Sequence, residues 1–100
     1  MSGTQTISTT DTGLITGLPN KYKVVLLNDD YTPMDFVIAI LIEIFGKDYQ
    51  TAEQVTLQVH NEGKGIAGVY HYEIAEQKVL ESTMYARNQG FPLDFSIEEV

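Results

Sequence analysis

Apolar and polar positions change rhythm several times along the chain, and each change marks an element. After Lys23 the run Val24-Val25-Leu26-Leu27 is β-branched and aliphatic, and it stops at Asn28-Asp29-Asp30. Such a run predicts a central strand. Thr32 then has the character of a helix N-cap, Pro33 that of a first helical residue, and Asp35 follows the cap by three positions. The apolar stretch behind them predicts a helix to Phe45, with Gly46 as its left-handed stop. Ile38, Ile40, Ile42 and Ile44 also alternate as a strand would, but the start and stop signals favour the helix. Only Asp35 and Glu43 are charged within it, so this helix is expected to be buried on more than one side.

Thr51-Ala52-Glu53-Gln54 predicts a second capping box. Ala52, Val55, Thr56, Val59, His60 and Gly63 then share one face at helical spacing. Asn61 to Lys64 form the exit, and Gly65 to Tyr70 predict a second strand whose glycines permit close backbone approach. From about Tyr72, the residues Ile74, Ala75, Val79, Ser82 and Ala86 mark the buried stripe of a third helix ending near Gly90. Leu93, Phe95 and Ile97 alternate with Asp94, Ser96 and Glu98, which predicts a final strand. The order β-α-α-β-α-β implies an α+β fold, a three-stranded antiparallel sheet with three helices packed on one side. Residues 1–20 are rich in Thr, Ser and Gly with Asp11 as their one charge. They bury too little to offset their ordering entropy and are expected to form a flexible N-terminal arm before a core domain at 21–100.

A chain of 100 residues with 43% hydrophobic content suits one domain with one core. It has no cysteine, which excludes a disulfide framework, a thiol nucleophile and Cys-based zinc sites. The formal net charge is −8, with Lys and Arg numbering 6 against 14 for Asp and Glu. Six scattered cations do not build the basic patch that nucleic acid requires, and the same balance disfavours anionic membranes. It favours a cationic group on a partner or a basic protein surface. The first twenty residues lack both the cationic and the apolar region of a secretion signal, and the longest apolar run, Phe36 to Ile42, is too short to span a bilayer. A cytoplasmic location is therefore expected.

Asn28, Asp29 and Asp30 sit between a strand end and a helix start. Asn and Asp are common turn residues, so turn chemistry explains them; an acceptor-rich pocket for a metal or an amine explains them too. His60, beside a glycine exit, is either a partly buried structural histidine or a polar group in a mostly apolar pocket wall. His71 has no comparable company. Met34, Val37 and Ile38 are core residues or the lining of a cavity next to the acidic cluster. Asp29, Asp30 and His60 lack a definite fourth metal ligand. No phosphate loop, nucleophile elbow or Ser–His–Asp set stands out, and no cofactor is implied.

The segment Lys21-Tyr22-Lys23-Val24-Val25-Leu26-Leu27-Asn28-Asp29-Asp30-Tyr31-Thr32-Pro33-Met34-Asp35-Phe36-Val37 resembles the opening of the ClpS family. Later stretches agree: Val59 to Gly65, Glu73 to Val79, and Tyr85-Ala86-Arg87 followed by Pro92-Leu93. The resemblance covers about residues 21–97. It implies a non-enzymatic adaptor of a Clp AAA+ protease that binds substrates by a destabilising first residue, Phe, Tyr, Trp or Leu (the N-end rule), and delivers these N-degrons to an unfoldase of the ClpA or ClpC type. It further implies that Asn28, Asp29 and His60 contact the substrate α-amine. Asp30 and Thr32 would support that polar rim, and Met34, Val37, Ile38, Thr56, Val59 and Leu93 would line the pocket for the first side chain. Glu73 and Lys78 match positions on the unfoldase-facing surface, and the N-terminal arm matches an extension that engages the unfoldase. The location implied is cytoplasmic, or the plastid stroma in a plastid-bearing host. A protein-interaction domain of the same fold without an amine pocket is the alternative. Thr56 departs from the family, since many ClpS proteins carry a methionine there at the pocket mouth. A wider or more polar pocket, altered selectivity among first residues, and a divergent second copy are the expectations that follow.

Overall fold

The computed structural model describes residues 21–100; the arm expected over residues 1–20 lies outside the described residues. Six elements follow in the expected order: β1 (Tyr22–Leu27), α1 (Met34–Glu43), α2 (Tyr49–Glu62), β2 (Lys64–Tyr70), α3 (Tyr72–Asn88) and β3 (Asp94–Glu99). The strands form one antiparallel sheet in the order β2-β1-β3, so the strand with the densest apolar run is the central one. Val24 and Leu26 of β1 enter the core with Ala67 of β2 and with Val37, Ile40, Leu41, Ala52, Val59, Ala75 and Ala86 from the helices. Full burial of a Leu or Ile side chain contributes ~1.5–3 kcal/mol, so Leu26, Ile40, Leu41 and Leu93, all 1% exposed or less, account for much of the stability.

Helix α1 resolves the ambiguity of the alternating isoleucines. Ile40 is fully buried, Ile38 and Ile44 are half-buried against the core, and Ile42 points outward, which is a helical phase and not a strand's. Its start differs from expectation. Pro33 is the N-cap, held extended at φ −66° and ψ 148°, and helical geometry begins only at Met34. Thr32 caps nothing, because its hydroxyl donates to Asp29 Oδ2 at 2.8 Å. The helix also ends earlier, at Glu43, and Gly46 makes the left-handed turn at φ 68° a few residues on.

The second helix, by contrast, begins ahead of the predicted box. Asp48 is its N-cap and accepts a bond from the Thr51 amide at 2.8 Å, so Thr51 sits inside the first turn. Gly63, at φ 93°, stops the helix and returns its N–H to Val59 O at 2.9 Å. Gly65 lets β2 lie against α2: a Cβ there would stand 3.1 Å from Val59 Cγ2. In α3 the buried residues are Ala75, Ser82 and Ala86, with Val79 half-buried. Ile74 is 43% exposed and does not belong to that stripe, since position 75 already occupies the inward direction one step on. Among the described residues no helix is long and apolar enough to cross a membrane.

Candidate functional site

The end of β1, the turn before α1 and the last turn of α2 meet at one place because a backbone bond joins them. The Asn28 amide donates to Gly63 O at 3.0 Å, carrying the β1–β2 pairing one residue beyond Leu27 and Lys64. That bond brings the Asn28 side chain to the same rim as His60, one turn back along α2. Both are exposed.

Asp29 turns its carboxylate inward on the loop. Oδ1 accepts the amides of Tyr31 and Thr32, each at 2.8 Å, and Oδ2 accepts the Thr32 hydroxyl at 2.8 Å. Burial works against the charge, but the Thr32 hydroxyl, the two amides and the Arg87 guanidinium outweigh it and hold the Asp29 carboxyl below its ordinary range. Asp29 is thus a fixed anion. Of the roughly four lone-pair directions of a carboxylate, the loop takes three and leaves one for a ligand. The C-terminal carbonyls of α2 add partial negative charge beside it. A cation fits such a rim.

Below the rim lies a cavity of about 50 Å³. Leu27, Asn28, Asp29 and Thr32 line it from the strand end and turn, and Met34 and Val37 from the first turn of α1. Thr56, Val59 and His60 line it from α2, and Leu93 from the lead-in to β3. The lower wall is apolar, the upper edge polar. Met34 is 40% exposed and is the adaptable part of the wall. Thr56 is 3% exposed, so it belongs to the inner wall and not to the mouth. Its hydroxyl donates to Ala52 O at 2.7 Å, which ties the polar atom back into its own helix.

The structure therefore brings together Asn28, Asp29, Thr32, Met34, Val37, Thr56, Val59, His60 and Leu93 of the expected residues. It does not bring in Asp30, which is exposed away from the cavity, or Ile38, which packs against the core. Leu27 was missed, although its place directly before Asn28 was a usable signal. Asp29, Asp30 and His60 form no metal-binding cluster among the described residues. Glu73 and Lys78 lie apart on α3. Glu73 is exposed, whereas Lys78 Nζ donates to Ile44 O at 2.8 Å and stands 5.4 Å from the centre of the Tyr70 ring.

A family model described as ATP-dependent Clp protease adaptor protein ClpS matches residues 18–96. The ATP-dependent Clp protease adapter protein ClpS of Paraburkholderia xenovorans is 54% identical over 81 residues, which cover 81% of this chain and 78% of the relative. Its counterpart in Wolinella succinogenes is 48% identical over 86 residues, covering 86% and 84%. Among solved structures, Agrobacterium tumefaciens ClpS2 bound to L-phenylalaninamide matches with a TM-score of 0.79 at 40% identity, over 83% of this chain and 100% of that one.

Proposed function

Since the chain belongs to the ClpS family of Clp protease adaptors, we propose that its cavity captures the free α-amine and the bulky apolar first residue of a substrate chain, which the protein then hands to a Clp unfoldase of the ClpA or ClpC type. The observation that carries this function is the convergence of Asn28, the fixed Asp29 carboxylate and His60 over an apolar well. L-Phenylalaninamide, the ligand of the related ClpS2, joins a free α-amine to an aromatic side chain and so has the chemistry of an N-terminal phenylalanine.

Asn28, Asp29 and His60 hold the amine, and Thr32 acts through Asp29 by fixing its carboxylate. Met34, Val37, Thr56, Val59 and Leu93 receive the side chain of Phe, Tyr, Trp or Leu. A free α-amine has a pKa of ~7.7–8.0 and is mostly cationic near neutrality. Charge-assisted hydrogen bonds contribute ~1.5–3 kcal/mol each, and burial of a large apolar side chain contributes about as much. Both terms favour a ligand with a free amine and a large apolar first side chain, and micromolar binding corresponds to about −8 kcal/mol. An internal residue has no amine, and its preceding chain would have to pass through the rim. The role is that of an adaptor and not of a catalyst, as in the relatives so named. Residues 21–100 carry the site, while Glu73, Lys78 and the extension over residues 1–20 serve the unfoldase. The bacterial sources of the relatives support a cytoplasmic location.

The test is a labelled peptide beginning with Phe beside its N-acetylated twin. The free peptide is expected to bind at micromolar level and the twin at least about tenfold more weakly. Equal affinity refutes amine capture and leaves a plain interaction domain. Asn28→Ala and His60→Ala should each weaken binding with an unchanged thermal midpoint.

A further inference from the structure

Leu93, the most buried of the residues that line the cavity and in that sense its floor, is held by a residue that does not line it. Arg87 is the single arginine of the chain and stands in the last turn of α3. Its Nη1 donates to Phe91 O at 2.9 Å and to Leu93 O at 2.8 Å, and its Nη2 donates to Asp94 Oδ1 at 2.9 Å. One guanidinium thus binds two carbonyls of the α3–β3 connection and the first side chain of β3. Leu93 is 1% exposed and lines the cavity, while β3 pairing begins only at Asp94, opposite Leu27. The Phe91 ring meets Phe36 of α1 edge-on at 4.8 Å, so the same connection also touches the helix that supplies Met34 and Val37.

We propose that Arg87 is a positioning residue for specificity: by fixing the Leu93 carbonyl it sets the depth of the well, and so the discrimination between long and short first side chains. The Arg87–Asp94 ion pair is exposed, and such pairs are worth little in stability. The two carbonyl bonds are different. Both leave one nitrogen, Nη1, while Nη2 holds Asp94, and this planar fork fixes their direction in a way that the flexible ammonium of a lysine does not. With the fork gone, the Leu93 backbone loosens. A ring that reaches the floor then loses more than a leucine that stops short of it. The positive charge of Arg87 also helps keep Asp29 ionised, which links floor and rim.

This inference rests on the amine-capture function, and the experiment keeps the two apart. Peptides beginning with Phe and with Leu are titrated against the full chain, Arg87→Gln and Arg87→Lys, with the thermal midpoint followed on each sample. Arg87→Gln is expected to weaken Phe-peptide binding about tenfold and Leu-peptide binding about threefold or less. Arg87→Lys should show the same altered ratio despite its charge. A purely structural role would lower the midpoint and leave the Phe-to-Leu ratio of the folded fraction unchanged. An unchanged ratio in both variants overturns the proposal, as does full restoration by Lys, or loss of the fold in both. If the unaltered chain binds neither peptide, amine capture fails and takes this inference with it; normal binding with unchanged ratios removes only the role of Arg87.

Discussion

Thr56→Met tests how the cavity selects its ligand. Thr56 lines the inner wall at 3% exposure, with its hydroxyl donated to Ala52 O, so what it offers the well is apolar and short. Of the two expectations, a wider or a more polar pocket, the substitution tests the first, since the hydroxyl is tied into its own helix. The cavity of about 50 Å³ is a third of the ~150 Å³ void that accepts benzene. A phenyl ring enters only if the wall gives, and Met34 is placed to do so. A methionine at position 56 takes up much of the remaining space. In the ligand-free protein this costs little stability, because the longer side chain grows into an existing void. In the complex it acts as overpacking, at ~1–3 kcal/mol for the bulkiest first residues. Fluorescence anisotropy with peptides beginning Trp, Phe, Leu, Ile and Val is expected to show Trp weakened about 5- to 150-fold and Leu by less than about threefold. Thr56→Val, which removes the hydroxyl and keeps the shape, should leave the order of preference intact. An unchanged order in Thr56→Met, or a changed order in Thr56→Val, refutes this account of the wall.

Binding should fall about tenfold per pH unit above ~8, because the free peptide amine loses its proton there while Asp29 stays ionised; titration at several pH values checks it. For stability the sign is the opposite. The folded pKa of Asp29 lies below 3.8, so its contribution is complete above that value and is lost as pH falls through the folded pKa. Urea midpoints should decline on that acid limb less steeply for Asp29→Asn than for the unaltered chain. Lys78→Met should lower stability by ~1–2 kcal/mol in chemical denaturation, since it removes the bond to Ile44 O at the end of α1. Any loss of unfoldase binding in that variant must be read at matched folded fraction. Ser82→Ala should raise stability by about 1 kcal/mol, because the Ser82 hydroxyl is fully buried and has no hydrogen-bond partner among the described residues.

Most of the fold was legible because its elements carry redundant signals. The run Val24 to Leu27 combines β-branching, continuity and a polar stop, and Gly46 and Gly63 mark helix ends where the backbone does turn left-handed. Starts were less legible. Thr32 and Thr51 satisfy the composition of an N-cap, but composition does not say which neighbour takes the hydroxyl or the amide. At both helices an aspartate three residues earlier is the acceptor, Asp29 for the Thr32 amide and Asp48 for the Thr51 amide. For the site, periodicity placed Thr56, Val59 and His60 on one face of α2. What periodicity could not supply was the Asn28–Gly63 bond between distant segments, without which the acidic turn and His60 have no reason to meet.

That bond also explains why an acidic turn can serve as a binding rim and not just as a connection. A loop that must order on binding loses affinity to its own entropy. Here the loop is fixed beforehand: Asp29 closes it through Tyr31 and Thr32, Asn28 anchors it to α2, and Pro33 removes backbone freedom where it enters α1. The Asp29 carboxylate is thus held in place beside an apolar well, one of whose residues, Leu93, is tied by Arg87. Rigidity on the polar side and give at Met34 divide the labour. In the proposed role the fixed Asp29 carboxylate meets the amine, so its charge is required of every ligand. The proposed seat of the first side chain has one flexible, exposed residue in its wall, Met34, which suits several large apolar shapes. On this proposal, selectivity among those shapes falls to the buried residues that bound the well, Thr56 and Leu93 among them.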